Sequence, residues 1–330
     1  MDIALNSKSP PASVPVPAAP WLSVILPVYR GEEWLSRTLA SIATDPGIEV
    51  VIIDSSPNAN SMAIIKSYAD RLRLLIIDPK GVDGCSPKTN LGVREASASH
   101  VAWLCQDDLW LPGRATAVRR WIDACPDAVL HLAPTAIIDR HDQVRGIWRC
   151  PLKEDNAVVE PASLFERLLV QNFVAVPSPI FRRDAWLACG GLDVDLWYTG
   201  DWDIWLKLCG RGAVVHHKEV TAAFRIHGSS ATTTGSRESG DFEEQHRIVV
   251  DRHLAAIPSN CRAAVRRLAE TSISVNVALA LAANGERRAA LRALKSVVAL
   301  GPVDVARYFH RSRIVDRVLP RLRARAAGDF

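Results

Sequence analysis

The sequence predicts an α/β fold, a mostly parallel sheet flanked by helices and followed by an α-helical appendage. Two observations carry this. Four short apolar runs, Leu22–Val28, Glu49–Asp54, Leu72–Asp78 and Val101–Asp107, alternate with stretches of helical spacing, the pattern of a doubly wound sheet. From residue 241 the texture changes to Ala- and Arg-rich sequence with helical period. The expected organisation is a Pro-rich disordered tail over residues 1–20, an α/β domain over 21–240 and a helical region over 241–330.

Composition narrows the class. With 48% hydrophobic and 23% charged residues, the chain of 330 residues can bury a large core and reads as soluble and globular. A net charge of +4 without a basic, aromatic-studded stripe excludes nucleic acid as a partner. Seven Cys, an odd number with no C-x-x-C spacing, give neither a disulfide framework nor a zinc site. A reducing, cytoplasmic location is expected. No apolar run reaches membrane-spanning length. Met1 to Pro20 lacks the basic start and apolar core of a secretory signal.

The elements follow in order. Leu22–Val28 is a buried strand, with Pro27 near its end because proline has no ladder donor. Trp34, Leu35, Leu39 and Ile42 give the next segment a helical stripe, stopped by Asp45-Pro46-Gly47. Glu49–Asp54 and Leu72–Asp78 are strands ending in acids. Helices are expected at about Ser61–Asp70 and Lys88–Ser97. Val101-Ala102-Trp103-Leu104 is the fourth strand, cut off by Cys105-Gln106-Asp107-Asp108. Right-handed crossovers place all four C-terminal ends on one rim, so Asp54 and Asp107 approach each other. No G-x-G-x-x-G follows the first strand, against a dinucleotide-binding fingerprint.

Beyond Pro112 the spacing predicts a helix to Ala124 and one longer strand over Ala128–Asp139. Loops are expected over Arg140–Glu160, a helix over Pro161–Val170, and extended chain over Asn172–Phe181. A short helix then closes at Gly190-Gly191, another begins at Gly200-Asp201, and strands follow at Ala213–His216 and Val220–Ile226. A polar loop runs through residues 227–235. Val275–Leu300 resembles a tetratricopeptide-type helical pair turning at Asn284-Gly285. Ile314, Val315, Val318, Leu319 and Leu322 form a stripe that Pro320 should kink or end. Arg311, Arg313, Arg317, Arg321, Arg323 and Arg325 crowd the same segment. They read as a solvated basic face or as a peripheral contact with anionic lipid at the inner face of the cell membrane.

Ligands of open α/β sheets collect beyond the carboxyl ends of the strands. Neighbouring carboxylates there repel each other and are costly to desolvate unless a cation lies between them. Asp107 and Asp108 therefore point to Mg²⁺ or Mn²⁺ carrying a diphosphate, although the same acids can simply cap the helix beyond Pro112.

Together these residues resemble the family-2 glycosyltransferases of the GT-A fold. Ser23-Val24-Ile25-Leu26-Pro27-Val28-Tyr29 resembles that family's opening strand, and Val51-Ile52-Ile53-Asp54-Ser55-Ser56 its nucleotide-base loop. Leu104-Cys105-Gln106-Asp107-Asp108 resembles the metal motif. Gly190-Gly191-Leu192-Asp193 and Gly200-Asp201-Trp202-Asp203 resemble the acceptor-side segment, and Arg225-Ile226-His227 the segment closing the site.

The resemblance implies an inverting sugar transfer from a nucleoside-diphosphate sugar to the hydroxyl of a saccharide or lipid-linked saccharide, in cell-surface polysaccharide or glycolipid synthesis. It implies Asp201 as catalytic base, with Asp203 as the alternative. Donor contacts fall on Pro27, Tyr29, Asp54, Lys88, Asp107 and Trp202, the last by stacking on a sugar face. Asp107, Asp108 and His227 fall around the metal. Four positions depart from the family pattern: Cys105 and Ser55 stand where acids are usual, Gly200 where Glu is usual, and Thr89 where Arg is usual, with Lys88 as a substitute cation. Two other readings remain: a non-catalytic nucleotide-sugar binder, and a sugar nucleotidyltransferase. The latter wants a Gly-rich basic loop where this chain has Tyr29-Arg30-Gly31-Glu32-Glu33.

Overall fold

The computed structural model describes residues 19–228, 239–283, 286 and 288–328. The expected tail up to residue 18, the polar loop from 229 and the turn at 284–285 lie outside the described residues. Strands β1 (Leu22–Val28), β2 (Ile48–Asp54), β3 (Arg73–Ile77) and β4 (His100–Trp103) run parallel in the order β3-β2-β1-β4. Helices α1 (Leu35–Ser41), α2 (Asn60–Lys66) and α3 (Cys85–Glu95) connect them. β1 is buried along its whole length and β2 up to Asp54, as strands covered on both faces must be. Gly92 lets α3 press onto the sheet: a Cβ there would lie 2.6 Å from Ile25 and 2.7 Å from Ile53. Val28 pairs with Asp54 at the rim.

Beyond the rim come β5 (Leu109–Trp110), α4 (Arg114–Ala124), β6 (Leu130–Leu132) and β7 (Thr135–Ile138). The single strand expected over 128–139 is two strands in two sheets. β6 extends the large sheet, whereas β7 belongs to a second, four-stranded sheet, and the break falls at Ala133-Pro134, where proline removes a ladder donor. The region expected to be loops carries β8 (Val144–Trp148), antiparallel to β7, and β9 (Ala157–Val158). A register shift at Ile137/Ile138 and the partial exposure of β8 hide the two-residue period. Then follow α5 (Pro161–Val170), capped by the Glu160 carboxylate, β10 (Ile180–Arg182), α6 (Arg183–Ala188), α7 (Gly200–Cys209), β11 (Val214–His216) and β12 (Ala222–Arg225). The large sheet has the order β3-β2-β1-β4-β10-β6-β11-β9, with β10 antiparallel to both neighbours; the second has the order β5-β12-β7-β8.

The helical region comprises α8 (Ser239–His253), α9 (Ser259–Ala283), α10 (Arg288–Val298), α11 (Pro302–Ser312) and α12 (Ile314–Ala326). α9 starts well before the expected helical pair and is 25 residues long. Pro320 neither ends nor interrupts α12. It is buried against β8, where a Cβ on Gly146 would lie 2.5 Å from the proline ring. The expected apolar stripe divides. Ile314 is buried and Val318 packs against the core, while Val315, Leu319 and Leu322 are 55%, 41% and 58% exposed. The arginines do not form one solvated face either: Arg311 pairs with Glu166 at 2.9 Å, Arg323 donates to the Arg145 carbonyl, and Arg317 lies over the Trp148 ring. Among the described residues, no helix is long and apolar enough to cross a membrane.

Candidate active site

The chain leaves β4 in a tight turn, with Leu104 N–H donating to the Ile25 carbonyl and Asp108 N–H to the Cys105 carbonyl. The turn gathers three ligand atoms: Cys105 Sγ and one carboxylate oxygen each from Asp107 and Asp108 lie within 4.8 Å of one another. Arg225 of β12 holds this turn from behind. Its N–H donates to Asp108 Oδ1 (2.9 Å), its Nε to the Asp107 carbonyl (2.7 Å) and its Nη1 to the Asp139 carbonyl (2.7 Å). Its guanidinium pairs with Asp142 and stacks over Trp34 at 4.5 Å. His227 Nε2 lies 2.9 Å from Asp107 Oδ2. The second oxygen of Asp108 is buried without a hydrogen-bond partner, and burial together with Asp107 pushes this carboxyl well above its ordinary pKa. A bond to the Cys85 thiol and burial raise the Cys105 thiol as well. An orphaned buried oxygen and convergent donors fit a divalent cation.

On the donor side, Asp54 ends β2 half-buried, its Oδ1 accepting from Ser56 N–H. Tyr29 is 45% exposed just past β1, and Gln106 clamps its backbone, accepting from its N–H (2.8 Å) and donating to its carbonyl (3.0 Å). Lys88 is buried and donates to the Val28 carbonyl (2.7 Å) and Ser55 Oγ (2.9 Å), so it ties the β1 and β2 rims together. Burial lowers its pKa.

Two expected donor contacts do not survive. Pro27 is buried inside β1. Backbone groups alternate sides along a strand, and the Ile25 carbonyl already meets Leu104, where β4 ends. The missing N–H of Pro27 therefore faces beyond β4 and leaves no ladder bond unmade. Trp202 is 3% exposed in the core and its indole N–H donates to the Leu168 carbonyl at 2.7 Å, so no ring face is open to a sugar.

Asp201, the expected base, sits in the first turn of α7. Its Oδ1 accepts from Trp202 N–H (2.7 Å) and its Oδ2 from Asn172 Nδ2 (3.0 Å). Burial pushes its pKa up to about 6, against the pull of these hydrogen bonds and of Arg317. Asp203 has the opposite surroundings. Burial alone would raise its pKa, but hydrogen bonds from His253 and Lys207, aided by Arg252, hold it at about 2. Its side chain is wholly enclosed in that ion cluster, which removes it as the alternative base. Gly200 rests against Ser86 at the start of α3, whose Cys85 bonds Cys105. The start of α7 and the turn after β4 thus meet on α3.

Sequence reasoning missed the amides that hold these parts: Gln106, Asn172 and Asn90. Asn90 accepts from Leu192 N–H and donates to the Leu192 carbonyl, fixing the loop after α6 on α3. Their partners lie 29 to 102 residues away, so no local spacing announces them.

Residues 23–176 match the family model described as Glycosyl transferase family 2. An uncharacterised glycosyltransferase of Rickettsia prowazekii is 23% identical over 235 residues, 68% of this chain and 70% of that protein. Validoxylamine A glucosyltransferase of Streptomyces hygroscopicus subsp. limoneus is 26% identical over 286 residues, 80% of this chain and 60% of that protein. Among solved structures, S. aureus TarS 1-349 in complex with UDP-GlcNAc superposes with a TM-score of 0.60 at 13% identity, covering 94% of this chain and 92% of that one. The mannosyltransferase PcManGT of Pyrobaculum calidifontis, in complex with GDP-Man and Mn²⁺, gives 0.54 at 17% identity, covering 94% and 90%. The fold is that of GT-A glycosyltransferases. The family match thus covers a little under half of the chain, and the chain is an enzyme of the glycosyltransferase class.

Proposed function

We propose that the protein transfers a sugar, with inversion, from a nucleoside-diphosphate sugar to a hydroxyl of a saccharide or lipid-linked saccharide in cell-surface glycan synthesis. The observation that carries this reading is the ligand cluster after β4, with its orphaned Asp108 oxygen and with His227 at Asp107. Asp107, Asp108 and Cys105 would hold Mg²⁺ or Mn²⁺; the ion supplies Lewis-acid neutralisation of the leaving diphosphate. The thiol makes the site softer than an all-carboxylate one. Asp54 and Tyr29 bound the donor side, and Lys88 fixes the two strand ends they sit on. The acceptor hydroxyl must lose a proton as it attacks. Asp201, with a pKa of about 6, is ionised at neutral pH yet a stronger base than an ordinary aspartate. One displacement by this route inverts the anomeric centre without a covalent sugar–enzyme intermediate. We further propose 21–240 as the catalytic unit and 241–330 as a helical region completing it. Seven free cysteines support a reducing, cytoplasmic setting.

The test is a thermal-shift screen of nucleoside-diphosphate sugars with and without Mn²⁺, followed by detection of released nucleoside diphosphate. A specific donor raises the melting point by mass action, and its hydrolysis or transfer requires the metal. Asp107→Ala should remove the metal-dependent part of both signals. A shift that survives Asp107→Ala unchanged overturns the metal assignment. Donor binding without any turnover, whatever the acceptor, favours a non-catalytic binder.

A further inference from the structure

The last helix brings two guanidinium groups to the acceptor side with no carboxylate bonded to either. Arg317 lies over the Trp148 ring at 5.1 Å, its Nη1 meets Asn276 Oδ1 at only 3.4 Å, and its Nε is buried without a hydrogen-bond partner. Arg321 donates from Nη1 to the Arg317 carbonyl at 2.8 Å. Among the described residues neither forms an ion pair with an acid within 4.0 Å, unlike Arg311 on the neighbouring helix. Asn276 donates to Gln171, and the next residue, Asn172, holds Asp201. The electrostatic neighbours of Arg317 include Asp201 and Tyr198, and Tyr198 also senses Arg321. Burial lowers the pKa of both arginines, and Arg317 lowers that of Arg321 further.

Two like charges held together in a half-buried place are costly unless an anion joins them. Guanidinium groups bind oxyanions through paired N–H donors. One nearby carboxylate, Asp201, leaves the pair with an excess of positive charge, which suits a phosphate better than a single carboxylate.

We propose that Arg317 and Arg321 form an anion subsite beside Asp201 that holds a phosphate group of the acceptor. The proposal rests on the glycosyl-transfer reading above, because it makes the phosphate a handle that sets the acceptor hydroxyl against Asp201. Arg317 and Arg321 are then specificity-determining residues for phosphate-bearing acceptors, soluble or lipid-linked.

The test uses the full chain with the donor site filled by UDP or GDP and Mn²⁺. Glycerol phosphate is titrated by calorimetry into the wild type, Arg317→Gln, Arg321→Gln and the two Lys counterparts. The expected result is a loss of affinity of about tenfold or more in each Gln variant, roughly 1.4 kcal/mol. The Lys variants should lose less, and nucleoside-diphosphate binding should not change. Retained nucleotide binding also shows that a variant is folded, and Arg321→Gln disturbs less packing than Arg317→Gln. Phosphatidylcholine vesicles carrying a polyprenyl phosphate form the second arm. Arginine-dependent binding to them identifies a lipid-linked source, and binding to glycerol phosphate alone a soluble one. Equal glycerol phosphate affinity in wild type and Gln variants, or none in the wild type at millimolar concentration, overturns the subsite and leaves the donor reading intact. Failure of every nucleotide to bind sinks the donor reading instead, while the glycerol phosphate titration still reports on the arginines.

Discussion

Asp201 and Asp203 are two residues apart on one helix turn and have opposite chemistry. Asp201 is poised near neutrality by burial, whereas Asp203 is locked ionised by His253, Lys207 and Arg252. Asp201→Asn should lower kcat by roughly 10²–10⁴-fold with donor binding retained, measured as nucleoside diphosphate release. The rate of the wild type should rise with pH through about 6 as this carboxyl ionises. Stability follows the opposite sign. A carboxyl whose pKa is raised on folding from 3.8 to about 6 favours the folded state at low pH. The wild type should therefore lose melting temperature relative to Asp201→Asn between those two pH values and run parallel to it above them. A gap that stays constant across that window would place the titration elsewhere. The acids themselves were legible, since they end apolar runs or open a helix. Which of the two was poised was not, because the deciding partners, Asn172, His253 and Arg252, come from other elements.

At the level of elements, the first four strands were readable because burial on both faces leaves continuous apolar runs with acids at their ends. The strand that split at Ala133-Pro134 was not, since an apolar run says nothing about which sheet each half joins. β8 was hidden by its bulge and its partial exposure. Asp203 is the joint between α7 and α8, because its partners Arg252 and His253 lie at the end of α8. Asp203→Ala leaves Lys207, Arg252 and His253 without their shared anion. The expected cost is roughly 3 kcal/mol, the low end for a broken buried pair, because Arg252 and Lys207 keep some hydration. Chemical denaturation of the variant measures it. Gly191 is a second joint. Its φ of +71° and the 2.4 Å approach of a Cβ to Asn90 Oδ1 leave no room for a side chain. Gly191→Ala should weaken acceptor-side function more than donor binding, seen as a KM rise for acceptor at unchanged nucleotide affinity.

On the scale of the whole molecule, the helical region is built into the α/β body. α12 buries Ile314, Pro320 and Ala324, the last two against β8 and its surroundings. Deleting residues 314–330 should remove about 3–5 kcal/mol of burial. At about 2 °C per kcal/mol for a chain of this size, the melting point should fall by roughly 6–10 °C in calorimetry. An unchanged melting point would show the segment to be dispensable. The sequence pointed to a packed stripe under a solvated basic face here, because a stripe of apolar residues beside arginines reads the same whether the arginines face solvent or fold inward. Only the partner strand settles it, and Trp148 belongs to a stretch that looked like loop.

The placement of Arg317 and Arg321 has a consequence for biogenesis. A ribosome delivers the proposed nucleotide side, Asp54 to Asp108, long before Arg317 and Arg321. On the proposed reading, the residues that choose the recipient molecule are translated more than two hundred positions after the acids of the sugar-nucleotide side, so the two specificities can be exchanged or altered as separate stretches of the gene.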